Sequence, residues 1–156
     1  PLVLKFVQMK LDEYQIATGE KKAQMHIEKD ALLQVIGHIA NTLVKNSSGT
    51  AVMEPFLLNH VVPDFQSESA IVRSRCCWVL EWFGNMDFSC LAPTTLHLIL
   101  EGLMSRLRDP SLAVQNSAAC SLRTIIGRFT CLAYSCYPCR CLCLVACVVS
   151  RSLNDF

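Results

Sequence analysis

Two stretches of this 156-residue chain carry the same apolar pattern forty-two positions apart. Val72–Gly84 reads VRSRCCWVLEWFG and Val114–Ile126 reads VQNSAACSLRTII. Laid over each other, Val72 meets Val114, Cys76 meets Ala118, Cys77 meets Ala119, Leu80 meets Leu122 and Phe83 meets Ile125. The set at i, i+4, i+8 and i+11 is one stripe of an α-helix. Each stretch follows a short polar turn that closes an amphipathic helix, Val52–Phe65 in one case and Leu96–Arg108 in the other. A looser earlier copy places Ala31, Leu32, Val35 and Ile39 forty-five residues before Cys76, Cys77, Leu80 and Gly84.

A helix–turn–helix unit of this period lies in the HEAT and armadillo range. One helix pair cannot bury its stripe alone, but stacked pairs share a continuous core. Small residues at Cys76, Cys77, Ala118 and Ala119 let the second helices approach closely. Polar punctuation at Thr18–Lys22, Asn46–Thr50, Ser67–Ser69, Asn85–Pro93 and Asp109–Ser111 predicts helices over about 1–17, 28–45, 50–65, 70–85, 94–108 and 111–128. The Asp109-Pro110 turn suits this plan, because proline cannot continue one helix yet fits the first turn of the next. The fold class read from the sequence is therefore all-α: an α-solenoid fragment over 1–128, with helix pairs at about 1–45, 50–85 and 94–128. A Cys-rich tail of unassigned structure occupies 129–156. Because residue 1 is proline and the apolar helix is already under way there, the piece is expected to be internal to a longer chain.

Composition narrows the function class. The chain is 52% hydrophobic and 17% charged, which excludes general disorder. Fourteen basic against thirteen acidic residues give a formal charge of +1, so the clustered basic excess of a nucleic-acid binder is missing. The glycines are too scattered for a phosphate-cradling loop. His26, His38, His60 and His97 lack metalloprotease spacing. No enzyme, cofactor or metal site is expected. Asn46-Ser47-Ser48 matches the glycosylation acceptor pattern and is expected to be a chance match in a helix-breaking loop.

The stretch Glu54–Gly84, EPFLLNHVVPDFQSESAIVRSRCCWVLEWFG, resembles the central HEAT repeats of the importin-beta superfamily, in particular its importin-seven/eight branch. The likeness rests on Asn59–Phe65 (NHVVPDF) and on Arg73–Leu80 (RSRCCWVL), with Lys29–Gly37 upstream and Val114–Ile126 downstream. It covers about residues 20–126. The resemblance implies a karyopherin that shuttles between cytoplasm and nucleus. Such a receptor carries protein cargo past nucleoporins and releases it on binding GTP-loaded Ran, with neither nucleic acid nor membrane as partner. The amino-terminal Ran-binding repeats of such receptors are absent from this stretch, and the last thirty residues do not look like the family. A HEAT scaffold of another assembly is one rival reading, and a membrane-anchored or metal-binding protein working through its Cys-rich tail is the other.

Arg75, Trp78 and Trp82 fall at i, i+3 and i+7, a stripe separate from the core stripe. Arginine beside tryptophan is the composition of a binding hot spot, and in related receptors the second helix of each repeat lines the concave surface. These three residues are the candidate partner-binding set. The competing structural reading has the two tryptophans wedged between repeats, with Ser117, Cys120 and Thr124 leaving them room. Arg73, Arg106, Arg108 and Arg123 offer a basic strip, although Arg106 and Arg108 also suit a helix C-terminus.

The ten cysteines form two populations. Cys76, Cys77, Cys90 and Cys120 sit in helical pattern as small buried hydrophobes. Cys131, Cys136, Cys139, Cys141, Cys143 and Cys147 crowd the tail. One CxxC at Cys136–Cys139 is half a zinc ribbon. Arg140 and Pro138 interrupt the apolar run that could otherwise cross a membrane. The abrupt change after Ile126–Phe129 is what a translated intron or a shifted reading frame produces.

Overall fold

The computed structural model describes residues 2–45, 49–83 and 91–135. Seven helices occupy these residues: α1 (Leu2–Ile16), α2 (Gly19–Gln24), α3 (His26–Lys45), α4 (Gly49–His60), α5 (Ala70–Trp82), α6 (Pro93–Arg106) and α7 (Leu112–Ser135). No strand occurs among the described residues. The helices form a HEAT-like α-solenoid fragment, taken in chain order as the pairs α1/α3, α4/α5 and α6/α7; α1 packs on α3 and α6 on α7, while α5 packs on the 3-10 turn that follows α4.

Amphipathic spacing selects the buried faces. In α1 the core takes Val7, Leu11 and Tyr14; in α6 it takes Leu96, Ile99, Leu100 and Leu103. In α5 and α7 the matched stripe is buried as the repeat requires, since Val72, Cys76, Leu80 and Phe83 and their counterparts Val114, Ala118, Leu122 and Ile125 all lie in one core. Ala119 departs from its counterpart Cys77: it is exposed, because no described element packs on that side of α7. The register of the earliest copy shifts by one residue. Val35 is 41% exposed while Ile36 is fully buried, so Leu32, Leu33 and Ile36 are the counterparts of Cys76, Cys77 and Leu80, at forty-four residues.

Three boundaries differ from the sequence expectation. The polar break at Thr18–Lys22 itself folds into the short helix α2, entered through Gly19 at φ 57. The helix expected to reach residue 65 ends at His60 and tightens into a 3-10 turn over Val62–Gln66. Pro63 is the cause: it lacks an N–H and its ring blocks the carbonyl one turn back. Helix α7 continues to Ser135, past the end expected at 128. Residues 136–156, which hold most of the Cys-rich tail and the CxxC, lie outside the described residues, as do Cys90, Gly84 and the Asn46–Ser48 acceptor pattern.

The second helices of the pairs, α3, α5 and α7, lie side by side and pack along their length, whereas the first helices touch only lightly. The α3–α5–α7 layer is the more tightly packed of the two and is called the inner layer. Glu54 of α4 ties the third pair to the second, accepting hydrogen bonds from the Ala92 backbone N–H (3.0 Å) and the Thr95 hydroxyl at the start of α6.

Candidate partner-binding face

Buried ion pairs set the joints beneath the inner layer. At the first joint Lys29 of α3, with no exposed surface, pairs with Asp64 in the 3-10 turn of the second pair. Its ammonium lies 4.3 Å from the centre of the Tyr14 ring, and Gln15 Nε2 donates to the same Asp64 carboxylate at 2.8 Å. At the second joint Arg73 of α5 grips Asp109 in the turn of the third pair, through Nε (2.7 Å) and Nη2 (2.9 Å). Lys29 and Arg73 are forty-four residues apart, Asp64 and Asp109 forty-five. The same device is thus repeated once per joint. At the next equivalent position Gln115 replaces the cation, and its amide donates to the Asp109 carbonyl of its own turn at 2.7 Å.

These contacts correct the basic strip. Arg73 is buried, and Arg106 also turns inward to Asp109, at 3.2 Å. Of the four, Arg108 and Arg123 are exposed. The hydrogen bonds from Arg73, with a smaller contribution from the Ser111 N–H, hold the Asp109 pKa below the usual carboxylate range against the upward push of burial. Burial pushes the Cys77 thiol up to about 12 and Cys76 further in the same direction. Both are packing groups rather than nucleophiles.

On the inner face the sequence-derived trio comes together. Arg75 donates through Nε to Asp30 of α3 at 2.6 Å, and its guanidinium lies 4.5 Å from the centre of the Trp78 ring. Trp78 and Trp82 are in contact, with ring centres 5.4 Å apart. His38 of α3 stacks nearly parallel on Trp82, at 5.6 Å and 17°. It is fixed by its own hydrogen bond from Nδ1 to the Gln34 carbonyl, 2.8 Å. Trp78 is half-buried, whereas Trp82 is 40% exposed.

Space for Trp78 comes from a residue that sequence reading passed over. A Cβ at Gly37 of α3 would lie 2.5 Å from Cζ3 of Trp78. Trp78 therefore packs back toward α3. Ser117 lines the same cavity as Trp78, and its hydroxyl lies 3.0 Å from Ser74 Oγ across the α5–α7 seam. A glycine in mid-helix costs about 1 kcal/mol against alanine, and that cost was the available signal. Beside the trio, a cavity of about 310 Å³ opens between the three inner helices, lined by Asp30, Ile71, Ser74, Arg75, Trp78 and Ser117 among others. Its mixed lining of one ion pair, hydroxyls and an aromatic face suits a polypeptide surface better than a small molecule. Among the described residues no cluster could hold a metal ion, and no helix is long and apolar enough to cross a membrane.

Comparison with known proteins bears on this architecture. Importin-8 of Homo sapiens is 36% identical over 101 residues, covering 64% of this chain and 10% of that protein. Nonsense-mediated mRNA decay protein 5 of Saccharomyces cerevisiae is 33% identical over 104 residues, 65% of this chain and 10% of that protein. The probable importin-7 homolog of Dictyostelium discoideum is 29% identical over 127 residues, 80% and 12% respectively. These similarities are to members of the importin-beta superfamily. The chain's likeness is to the importin-7 and importin-8 branch, and it spans about a tenth of the length of the curated relatives it matches. No family model and no solved structure matches it. The inner layer of this chain is the surface on which the trio stands.

Proposed function

We propose that the chain contributes part of the cargo-carrying arch of a nuclear import receptor that shuttles between cytoplasm and nucleus. In this reading Arg75, Trp78 and Trp82 contact protein cargo, and GTP-loaded Ran drives release. The observation that carries it is the half-open tryptophan pair on the α3–α5–α7 layer, where Trp82 stays 40% exposed although His38 stacks on it. A side chain present only to wedge repeats apart would be covered like Trp78. The mechanism is non-catalytic. Repeats joined by single buried ion pairs flex about their joints, and a partner that favours one curvature weakens a partner that favours another.

A chimaera tests the reading. Residues 2–128 replace the aligned segment of human importin-8, and cargo accumulation is measured in permeabilised cells supplied with Ran and GTP. The chimaera should import cargo in a Ran-dependent way, and alanine at Arg75, Trp78 and Trp82 together should reduce import severalfold. A folded chimaera that imports nothing contradicts the receptor assignment. Import indifferent to the triple substitution contradicts the cargo-contact assignment alone.

A further inference from the structure

The connection between α6 and α7 surrounds one serine with a basic and apolar pattern. Its sequence from Arg106 to Leu112 is RLRDPSL. Arginines stand five and three residues before Ser111, and a leucine stands one residue after it. Serine/threonine kinases that select arginine present acidic side chains at those two upstream positions and an apolar pocket downstream. Leu112 is 75% exposed and Arg108 and Pro110 are exposed as well, so this leucine does nothing for the core. Ser111 is half-buried at the mouth of α7, and its carbonyl accepts from the Val114 and Gln115 N–H groups at 3.1 Å.

We propose that Ser111 is the phosphoacceptor of an arginine-directed serine/threonine protein kinase. Recognition needs Arg106, which is tied to Asp109 at 3.2 Å and to Gln66 at 3.4 Å. Both are long contacts beside the shorter two-point grip that Arg73 keeps on Asp109. The kinase can draw Arg106 away and leave the buried carboxylate paired. In the transfer, Ser111 Oγ attacks the γ-phosphorus of Mg·ATP held by the kinase. The bond to the bridging oxygen breaks with its electron pair leaving on ADP, and the hydroxyl proton passes to the kinase's catalytic aspartate. The product dianion stands at the first turn of α7, where backbone N–H groups lack intrahelical acceptors and the helix dipole favours negative charge.

Ser111 also lines the cavity that Arg75 and Trp78 share. Phosphate there places a second anion in the cavity lined by an arginine now held by Asp30, and so changes the charge of the inner layer. That consequence rests on reading the face as a partner surface; the acceptor assignment does not.

The test incubates the folded chain with Mg·ATP and the purified catalytic domain of an arginine-directed kinase, and maps phosphate by mass spectrometry. One phosphate per chain is expected, at Ser111. Ser111→Ala should abolish it, and Arg108→Ala, which leaves the hydroxyl in place, should slow labelling at least tenfold with unchanged circular dichroism. Four outcomes overturn the assignment: no labelling, phosphate elsewhere with Ser111 unmodified, labelling indifferent to Arg108→Ala, or labelling only of the heat-unfolded chain. Because no cargo enters the assay, failure of the import reading leaves this result unaffected.

Discussion

Arg73 holds Asp109 by two parallel hydrogen bonds across the joint between the second and third helix pairs, 2.7 Å from Nε and 2.9 Å from Nη2. The same guanidinium donates through Nη1 to the carbonyls of Ser67 and Glu68, so one side chain fastens its own turn and the next pair together. Two-point geometry of this kind is what a lysine cannot supply.

Removing one partner strands the other. Asp109→Ala should cost about 3–5 kcal/mol, because it leaves the Arg73 charge buried without its counter-ion. Replacing both, Arg73→Leu with Asp109→Ala, should cost clearly less than the sum of the single changes. Urea unfolding of the four members of the cycle checks this.

Acid should weaken the fold in two separate windows. Burial, with a smaller contribution from Lys29, holds the His60 pKa below its usual value against the pull of Asp12. An unfolded chain therefore takes up that proton first, and stability falls as pH drops from about 6.5 toward the lower folded value. Asp109 is also depressed, so its contribution is complete above about pH 4 and is lost as pH falls through its lower folded value. Urea midpoints between pH 7.5 and 3 should show both slopes. His60→Gln should flatten only the first.

Gly37 should not accept a methyl group. Alanine ordinarily improves a helix by about 1 kcal/mol over glycine, but here the new Cβ would sit 2.5 Å from Trp78 Cζ3. Overpacking of about 1–3 kcal/mol should win, so Gly37→Ala lowers the melting temperature. Adding Trp78→Leu should recover part of the loss. A melting temperature raised by Gly37→Ala would show that Trp78 is not seated there.

The two tryptophans should separate in their effects. Trp78→Ala should destabilise by about 2–4 kcal/mol, as removal of a large packed ring does. Trp82→Ala should cost under about 1 kcal/mol, since much of its ring already meets solvent. Thermal melts of the two variants measure the difference. Equal losses would make Trp82 a wedge like its neighbour.

The solenoid was legible because its signal is periodic and apolar: Val72, Cys76, Leu80 and Phe83 and their counterparts forty-two residues on share one core. The earliest copy slipped by one residue, since Ala31-Leu32-Leu33 offers two adjacent apolar registers and only burial separates them. The end of α4 at His60 could have been read from Pro63, whereas the short helix α2 could not, because GEKKAQ carries no apolar stripe. At the inner face Arg75, Trp78 and Trp82 could be singled out from spacing and composition, but the residues they touch, Asp30, Gly37 and His38, lie on another helix. The buried pairs at the joints were missed for the same reason. A charged residue in a polar-looking turn, such as Asp64 or Asp109, looks solvated until the neighbouring repeat covers it.

The stacking of α5 on α7 in repeat register can be tested by a cross-link. Ser74 Oγ and Ser117 Oγ lie 3.0 Å apart on facing sides of the seam, a separation that allows a disulfide. In the Ser74→Cys, Ser117→Cys chain, mild oxidation should join these two positions, read as a linked peptide by mass spectrometry and absent from either single variant. If the pair fails to join while the chain remains helical, the two helices do not meet at these positions, and the repeat architecture on which the transport reading stands is contradicted.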